Sequence, residues 1–229
     1  MHSVASSKDE ETLNLGKAEG GSEAPRGRGR PKVMSDEAQS AIILQKAREL
    51  FQESGYARTT MDEVAARCRI SKRTLYRLFP SKTELFAAII DAHRETMLAL
   101  PGDYEKMSLQ DALEAIFRID ISEEADRERI ALLRFVMVES RHYPELHELA
   151  RQRGGERSRA LLGEWFDKQR ELGRIDIDDA MSAGKILMDM IFGAIVFKAP
   201  GDPELGGGDD RKDYLRRCIR IFLDGVRPR

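Results

Sequence analysis

From Ser40 onward the chain repeats apolar residues at three- and four-residue intervals, and no useful length of it alternates apolar with polar positions. Ile43, Ala47, Leu50 and Phe51 form one stripe at single-helix spacing, and Gly55 follows where a helix C-terminus favours a left-handed residue. Thr60-Met-Asp-Glu63 has capping-box spacing, which lets threonine and glutamate side chains satisfy free N–H groups at a helix start. Met61, Val64, Ala65 and Cys68 are the stripe of that second helix. Arg69-Ile70-Ser71 is a break with Ser71 as N-cap, and KRTLYRLF is a third helix turning Leu75, Leu78 and Phe79 toward the other two. Pro80 ends it, and Ser81-Lys-Thr-Glu84 is a second capping box, opening a fourth helix that runs to about Leu100. Three short helices with these breaks predict a tri-helical unit whose last two members make a helix-turn-helix. Its expected core is Ile43, Ala47, Leu50, Phe51, Val64, Ala65, Ile70, Leu75 and Phe79.

The rest of the chain is also helical in pattern, so the expected fold class is all-α. Helices are predicted near 108–120, 123–141, 145–171, 178–198 and 209–225, divided at Pro101-Gly102, Pro144, Gly173 and Pro200-Gly201. The 178–198 segment is apolar on nearly all sides, which requires cover on both faces. The last segment is striped instead, with Leu215, Ile219, Phe222, Leu223 and Val226 at helical spacing. The longest apolar run, Ile186 to Phe197, is too short to span a bilayer and carries Asp189, so a buried helix is expected and no membrane role follows.

Residues 1–36 carry almost no large apolar side chains and are expected to be disordered, since such a segment cannot bury enough surface to offset its ordering entropy. No apolar run of a secretory leader stands at the start, and Cys68 and Cys218 show no metal or redox spacing. A cytoplasmic, reducing location is the expectation, with both thiols on apolar helix faces as inert core cysteines rather than redox sensors.

Net charge is −2, which suits a DNA-binding protein poorly until the charges are located. From Pro25 to Leu85 there are 13 Lys/Arg against 7 Asp/Glu, so a local excess of six positive charges sits beside a net acidic remainder. One segment is suited to phosphate and the rest is not.

The stretch from Ile42 to Phe86 resembles the DNA-binding domain of the TetR family of bacterial regulators. The resemblance rests on Phe51, Gly55, the Thr59-Thr60 pair, the second helix with Ala65, Ser71-Lys72, Thr74-Leu75-Tyr76, Phe79, and Lys82 with Leu85-Phe86. It implies a helix-turn-helix DNA-binding domain at 37–86 followed by a helical ligand-binding and dimerisation domain at 87–229. The implied function is sequence-specific transcriptional regulation, as a ligand-responsive repressor on a palindromic operator in double-stranded DNA. It also implies that Tyr76 and Lys82 contact the DNA backbone, with Thr59 and Thr60 often doing so. Free N–H groups at the helix starts of Thr60 and Ser81 favour phosphate as well, although both residues also serve simply as caps.

A recognition helix must offer polar or basic residues from its first turns while its back stays apolar. Ser71, Lys72, Arg73 and Thr74 occupy that place, and Tyr76 and Arg77 follow on the outer side. Arg73 could read G O6 and N7 in the major groove, worth about 1–3 kcal/mol of discrimination if bidentate, or it could touch phosphate only. The arm from Pro25 to Lys32, PRGRGRPK, resembles an AT-hook, which would insert Arg28 and Arg30 into a narrow A·T-rich minor groove with Arg26 and Lys32 on phosphates. A solvated basic linker is the plainer alternative.

In the family the last two helices form a four-helix bundle with those of a second subunit, which places Ile191, Ile195, Leu215, Ile219, Phe222 and Leu223 at a homodimer interface. Family pockets lie between the middle helices, which contribute Phe117, Phe135, Trp165, Phe166, Met188 and Phe192, with Leu133 and Met137, toward an apolar or amphipathic small-molecule effector. A filled core is the commoner fate of such residues, and it stays open which of them line a cavity.

Catalysis is not expected. Glu139 and His142 have the E-x-x-H spacing of a carboxylate di-iron helix, but no second copy accompanies them, and no phosphate loop, dinucleotide fingerprint or serine elbow is present. No metal or cofactor is implied. An architectural DNA-binding protein without an effector is the competing reading.

Overall fold

A computed structural model of the protein describes residues 34–196 and 209–228. The described elements are α1 (Asp36–Ser54), α2 (Met61–Arg67), α3 (Lys72–Leu78), α4 (Lys82–Met97), α5 (Leu109–Ile116), α6 (Glu123–His142), α7 (Pro144–Leu149), a π-helical segment (Ala150–Glu156), α8 (Arg157–Glu171), α9 (Ala180–Val196) and α10 (Asp209–Gly225). The described residues contain no strand, as the helical periodicity predicts. The disorder expected for residues 1–36 and the arm with Arg28 and Arg30 fall, up to residue 33, outside the described residues.

Helix starts are set locally. Ser35, Thr60, Ser71, Ser81, Ser108 and Ser122 each stand in extended backbone, and each side-chain oxygen accepts from an N–H of the first turn. Each such cap is worth about 1 kcal/mol. At α2 the box is complete, because Thr60 N–H also donates to Glu63 Oε2 at 2.8 Å. Helix α7 has no side-chain cap, and Pro144 stands in its first turn, where a missing N–H is not needed and a fixed φ suits the helix.

Side chains then collect into two cores. One joins Ile43, Ala47, Leu50 and Phe51 of α1 to Val64, Ala65, Leu75 and Phe79, and also takes in Leu132 and Val136 of α6 and Leu146 of α7. The other fills the space among α5, α8, α9 and α10, around Phe117, Leu162, Phe166, Leu187 and Ile219. Helix α4 runs through the expected division between residues 86 and 87, with Leu85, Phe86, Ile89 and Ile90 all buried in the first core. The described residues from 35 onward accordingly cluster as one compact unit.

Three predicted elements differ. The helix expected over 145–171 is three pieces, because the chain widens into π-helical turns at Ala150–Glu156, around the adjacent Gly154 and Gly155. Glycine weakens α-helix, and a glycine pair in mid-pattern was the available sign. The helix expected over 108–120 stops at Ile116, where Arg118 takes φ 52°. Helix α4 closes at Met97 rather than near Leu100.

Candidate nucleic-acid interface and effector cleft

The helix-turn-helix is short and tightly made. Cys68 and Arg69 donate back to the carbonyls of Val64 and Ala66, Ile70 N–H reaches Ala65 O, and Arg69 sits at φ 54° between α2 and α3. A side chain in that left-handed region costs roughly 1–2 kcal/mol, which the surrounding backbone bonds hold in place. Ser71 Oγ accepts from Thr74 N–H at 3.0 Å and lies 2.8 Å from the Thr74 hydroxyl, fixing the first turn of α3.

The outer side of α3 carries the expected polar set, but in three different states. Arg73 and Tyr76 are exposed and make no ion pair or hydrogen bond among the described residues. Lys72 Nζ is 2.7 Å from Asp62 of α2, and this exposed pair raises the lysine pKa. Arg77 binds the Asp36 carboxylate through two hydrogen bonds of 2.6 and 2.7 Å, which hold the carboxyl below its ordinary pKa. These links pin both flanks of α3, to α2 and to α1, and leave Arg73 and Tyr76 as the uncommitted face.

Two expected DNA contacts are turned inward. Thr59 is 1% exposed, and its hydroxyl donates to Gly55 O at 2.9 Å with Leu50 O at 3.3 Å. Its side chain closes the end of α1 and offers nothing to DNA in this conformation. Lys82 Nζ donates to Tyr56 O at 2.9 Å, Thr59 O at 3.0 Å and Ala57 O at 3.3 Å. An ammonium has three donors, so all are used within the turn that precedes α2. Burial shifts this lysine's pKa down. Thr60 and Ser71 remain exposed while acting as caps.

Deeper in the molecule, α4, α6, the π-helical segment, α8 and α9 enclose a cleft of about 510 Å³. Its apolar wall includes Met97, Leu133, Met137, Met188 and Phe192. Among the residues expected there, Met188 and Phe192 do line it, with Leu133 and Met137. Phe117, Trp165 and Phe166 belong to the filled second core, and Phe135 packs on Phe86 with ring centroids 6.4 Å apart. A second cleft, of about 640 Å³, lies where α1 meets α4 and α6. His93 borders both clefts. Burial, and then Arg48 and Arg129, push its pKa down to about 4, so the ring is neutral at pH 7. Sequence reasoning missed His93, Arg94 and Ser140 of this region, because periodicity marks apolar stripes and carries no signal for a polar group facing a gap.

Most of the expected dimer residues fall on the protomer's own core. Ile191, Leu215, Ile219 and Phe222 are buried against the protomer's own core, and Leu223 packs partly against it. Ile195 lies outside the described side chains. Helix α9 presents three faces: Ala183, Leu187 and Ile191 inward with Met190 half-buried against the same core, Met188 and Phe192 to the cleft, and Ile186 outward. Ile186 is 54% exposed, and Ile221 on the outer side of α10 is 59% exposed. Ile186 and Ile221 are thus apolar side chains that the described protomer leaves uncovered, Ile186 beside the exposed Lys185–Asp189 pair of α9.

Residues 43–89 match the family model of bacterial regulatory proteins of the tetR family, and residues 108–225, just over half of the chain, match the model described as AefR-like transcriptional repressor, C-terminal domain. The chain is 32% identical over 151 residues to an HTH-type transcriptional regulator of Mycobacterium tuberculosis, covering 66% of this chain and 70% of that protein. It is 29% identical over 163 residues to the HTH-type transcriptional regulator UidR of Escherichia coli, covering 67% of this chain and 78% of the relative. Among solved structures, the flavonoid-responsive regulator FrrA superposes with a TM-score of 0.57 at 25% identity, covering 83% of this chain and 98% of the other.

Proposed function

The chain belongs to the TetR family and is a DNA-binding transcriptional regulator, and from that premise we propose that it is a homodimeric repressor whose hold on a palindromic operator is set by a small molecule in the α4–α9 cleft. The observation that carries this reading is the path of α4. Near its start Lys82 fastens the turn that leads into α2, and three turns later Arg94 and Met97 wall the cleft. The two points are 12 residues apart, about 18 Å along one helix. A ligand that moved the far end of α4 would therefore shift the whole three-helix unit.

Arg73 and Tyr76 are the side chains we assign to DNA, with Arg73 reading a base edge and Tyr76 and Thr60 on the backbone; Lys72, Thr74 and Arg77 border them. The arm with Arg28 and Arg30 adds minor-groove contacts on either side. The dimer forms through the outward faces of α9 and α10, centred on Ile186 and Ile221, where Gly193 lets a partner helix approach closely. Two recognition helices related by that two-fold meet half-sites about one helical turn, or a multiple of it, apart. The ligand acts by binding better to a form whose recognition helices no longer match that spacing, since an effector shifts an equilibrium only through differential affinity.

Genome-wide footprinting tests this reading. A regulator protects a few discrete sites, each with internal two-fold symmetry. Protection of many A·T-rich stretches without symmetry would instead make the protein architectural.

A further inference from the structure

The cleft wall is unusual in its charge. Arg94, Arg141, Arg151, His93 and His147 all border it, and among the described residues no aspartate or glutamate does. Arg151 is already engaged by Glu148 and Glu156, and Arg141 has no ion-pair partner among the described residues. Arg94 is the informative one. Its side chain is only 14% exposed, its Nε is buried with no hydrogen-bond partner among the described residues, and its one counter-charge among them is Glu95 at 3.5 Å, a carboxylate whose own side chain is 69% exposed. On the same cleft wall, Ser140 Oγ of α6 is likewise buried with no hydrogen-bond partner among the described residues. A guanidinium taken out of water costs free energy unless a hydrogen-bonded anion compensates it, and a distant, solvated glutamate does this poorly.

We propose that the cleft takes an amphipathic organic monoanion, its carboxylate held by Arg94 and Ser140 and its apolar body against Met97, Leu133, Met188 and Phe192. The planar guanidinium matches a carboxylate through two parallel hydrogen bonds, which a neutral head group cannot reproduce and a cationic one would oppose. The three flexible thioethers of Met97, Met137 and Met188 suit an apolar body of adaptable shape. A cleft of about 510 Å³ falls within the range of small-molecule sites. The π-helical turn contributes Gly154 and Gly155 to the wall, and no side chain or neighbouring element lies within 4 Å of where a Gly155 Cβ would stand, so the backbone leaves room at the cleft's edge. This assignment rests on the cleft being the effector site of the proposed repressor.

The test uses the full-length protein and two matched series: decanoate, decanamide and decylamine, and 2-naphthoate, 2-naphthamide and 2-naphthylmethylamine. Affinity is measured by calorimetry, and release of a selected operator duplex is followed in parallel by fluorescence anisotropy. At least one carboxylate is expected to bind tenfold or more tighter than its amide and tighter than its amine. Arg94→Gln is expected to erase that preference while leaving amide affinity within twofold, and Ser140→Ala to reduce it in part. An amide or amine that binds as well as its carboxylate, or binding by no member of either series, overturns the proposal on wild-type protein alone. Carboxylate binding that leaves the operator complex intact would uphold the cleft chemistry and remove the sensing role. Release by the amide but not the acid would do the reverse.

Discussion

Lys82 holds its ammonium 4.3 Å above the Tyr56 ring centroid while donating to three carbonyls of the Tyr56–Thr59 turn. A residue on the fourth helix thereby fixes the approach to the second, and a cation over an aromatic face adds to the hold. Lys82→Met should cost about 1–3 kcal/mol of unfolding free energy, the range for losing hydrogen bonds from a charged donor at this part-buried turn. It should weaken DNA binding while changing the salt slope by well under one unit, whereas loss of a direct phosphate contact lowers that slope by about one. Denaturant titration and salt-dependent anisotropy check both halves.

Arg73 faces outward with no partner among the described residues, while both neighbouring cations of α3 are tied to carboxylates. Arg73→Ala should relax preference at one base pair per half-site, at a cost of about 1–3 kcal/mol on the preferred sequence. Sequencing of DNA selected by the variant reads this directly; a uniform loss with unchanged preference would reassign Arg73 to the phosphates.

Replacing Ile186 and Ile221 together with glutamate should leave a folded monomer, because both side chains are more than half exposed in the protomer. Sedimentation velocity should show the change in mass, and operator affinity should fall by several orders of magnitude as one half-site is lost. By contrast, Ile219→Glu should fail to fold, since that position is fully buried in the protomer.

His93 predicts a pH dependence. Its pKa is depressed from 6.5 to about 4 by burial and by Arg48 and Arg129, so between those values the unfolded chain binds the proton that the folded chain refuses. Stability is therefore full above pH 7, falls as pH drops below 6.5, and stops falling near pH 4. At about 1.4 kcal/mol per unit the total is on the order of 3 kcal/mol. Unfolding curves for His93→Gln should lose most of this slope.

Much of the fold could be read from the sequence, because its signals are local. Stripes at helical spacing placed α1 to α6 within a few residues, and the caps at Thr60, Ser71 and Ser81 fixed the starts of α2, α3 and α4, while the caps at Ser35, Ser108 and Ser122 carried no separate signal. The site was less legible. Thr59 and Lys82 belong to a familiar motif, yet a motif records residue type and not the direction a side chain takes. Ile191 and Ile219 show the same limit: spacing identifies an apolar stripe but cannot say whether its own core or a second subunit covers it. Arg94 and Ser140 escaped altogether, since their meaning lies in a buried Nε and a buried Oγ left without partners among the described residues, which only the packed structure reveals.

The central claim, a symmetric reader of specific DNA, is tested most directly by selection from a random DNA pool with the full-length protein at near-physiological salt, repeated with residues 1–32 removed. Enrichment of a palindrome with half-site centres about one helical turn or a multiple apart is the predicted result, with flanking A·T preference lost in the shortened chain. Enrichment of A·T-rich DNA without two-fold symmetry would contradict it.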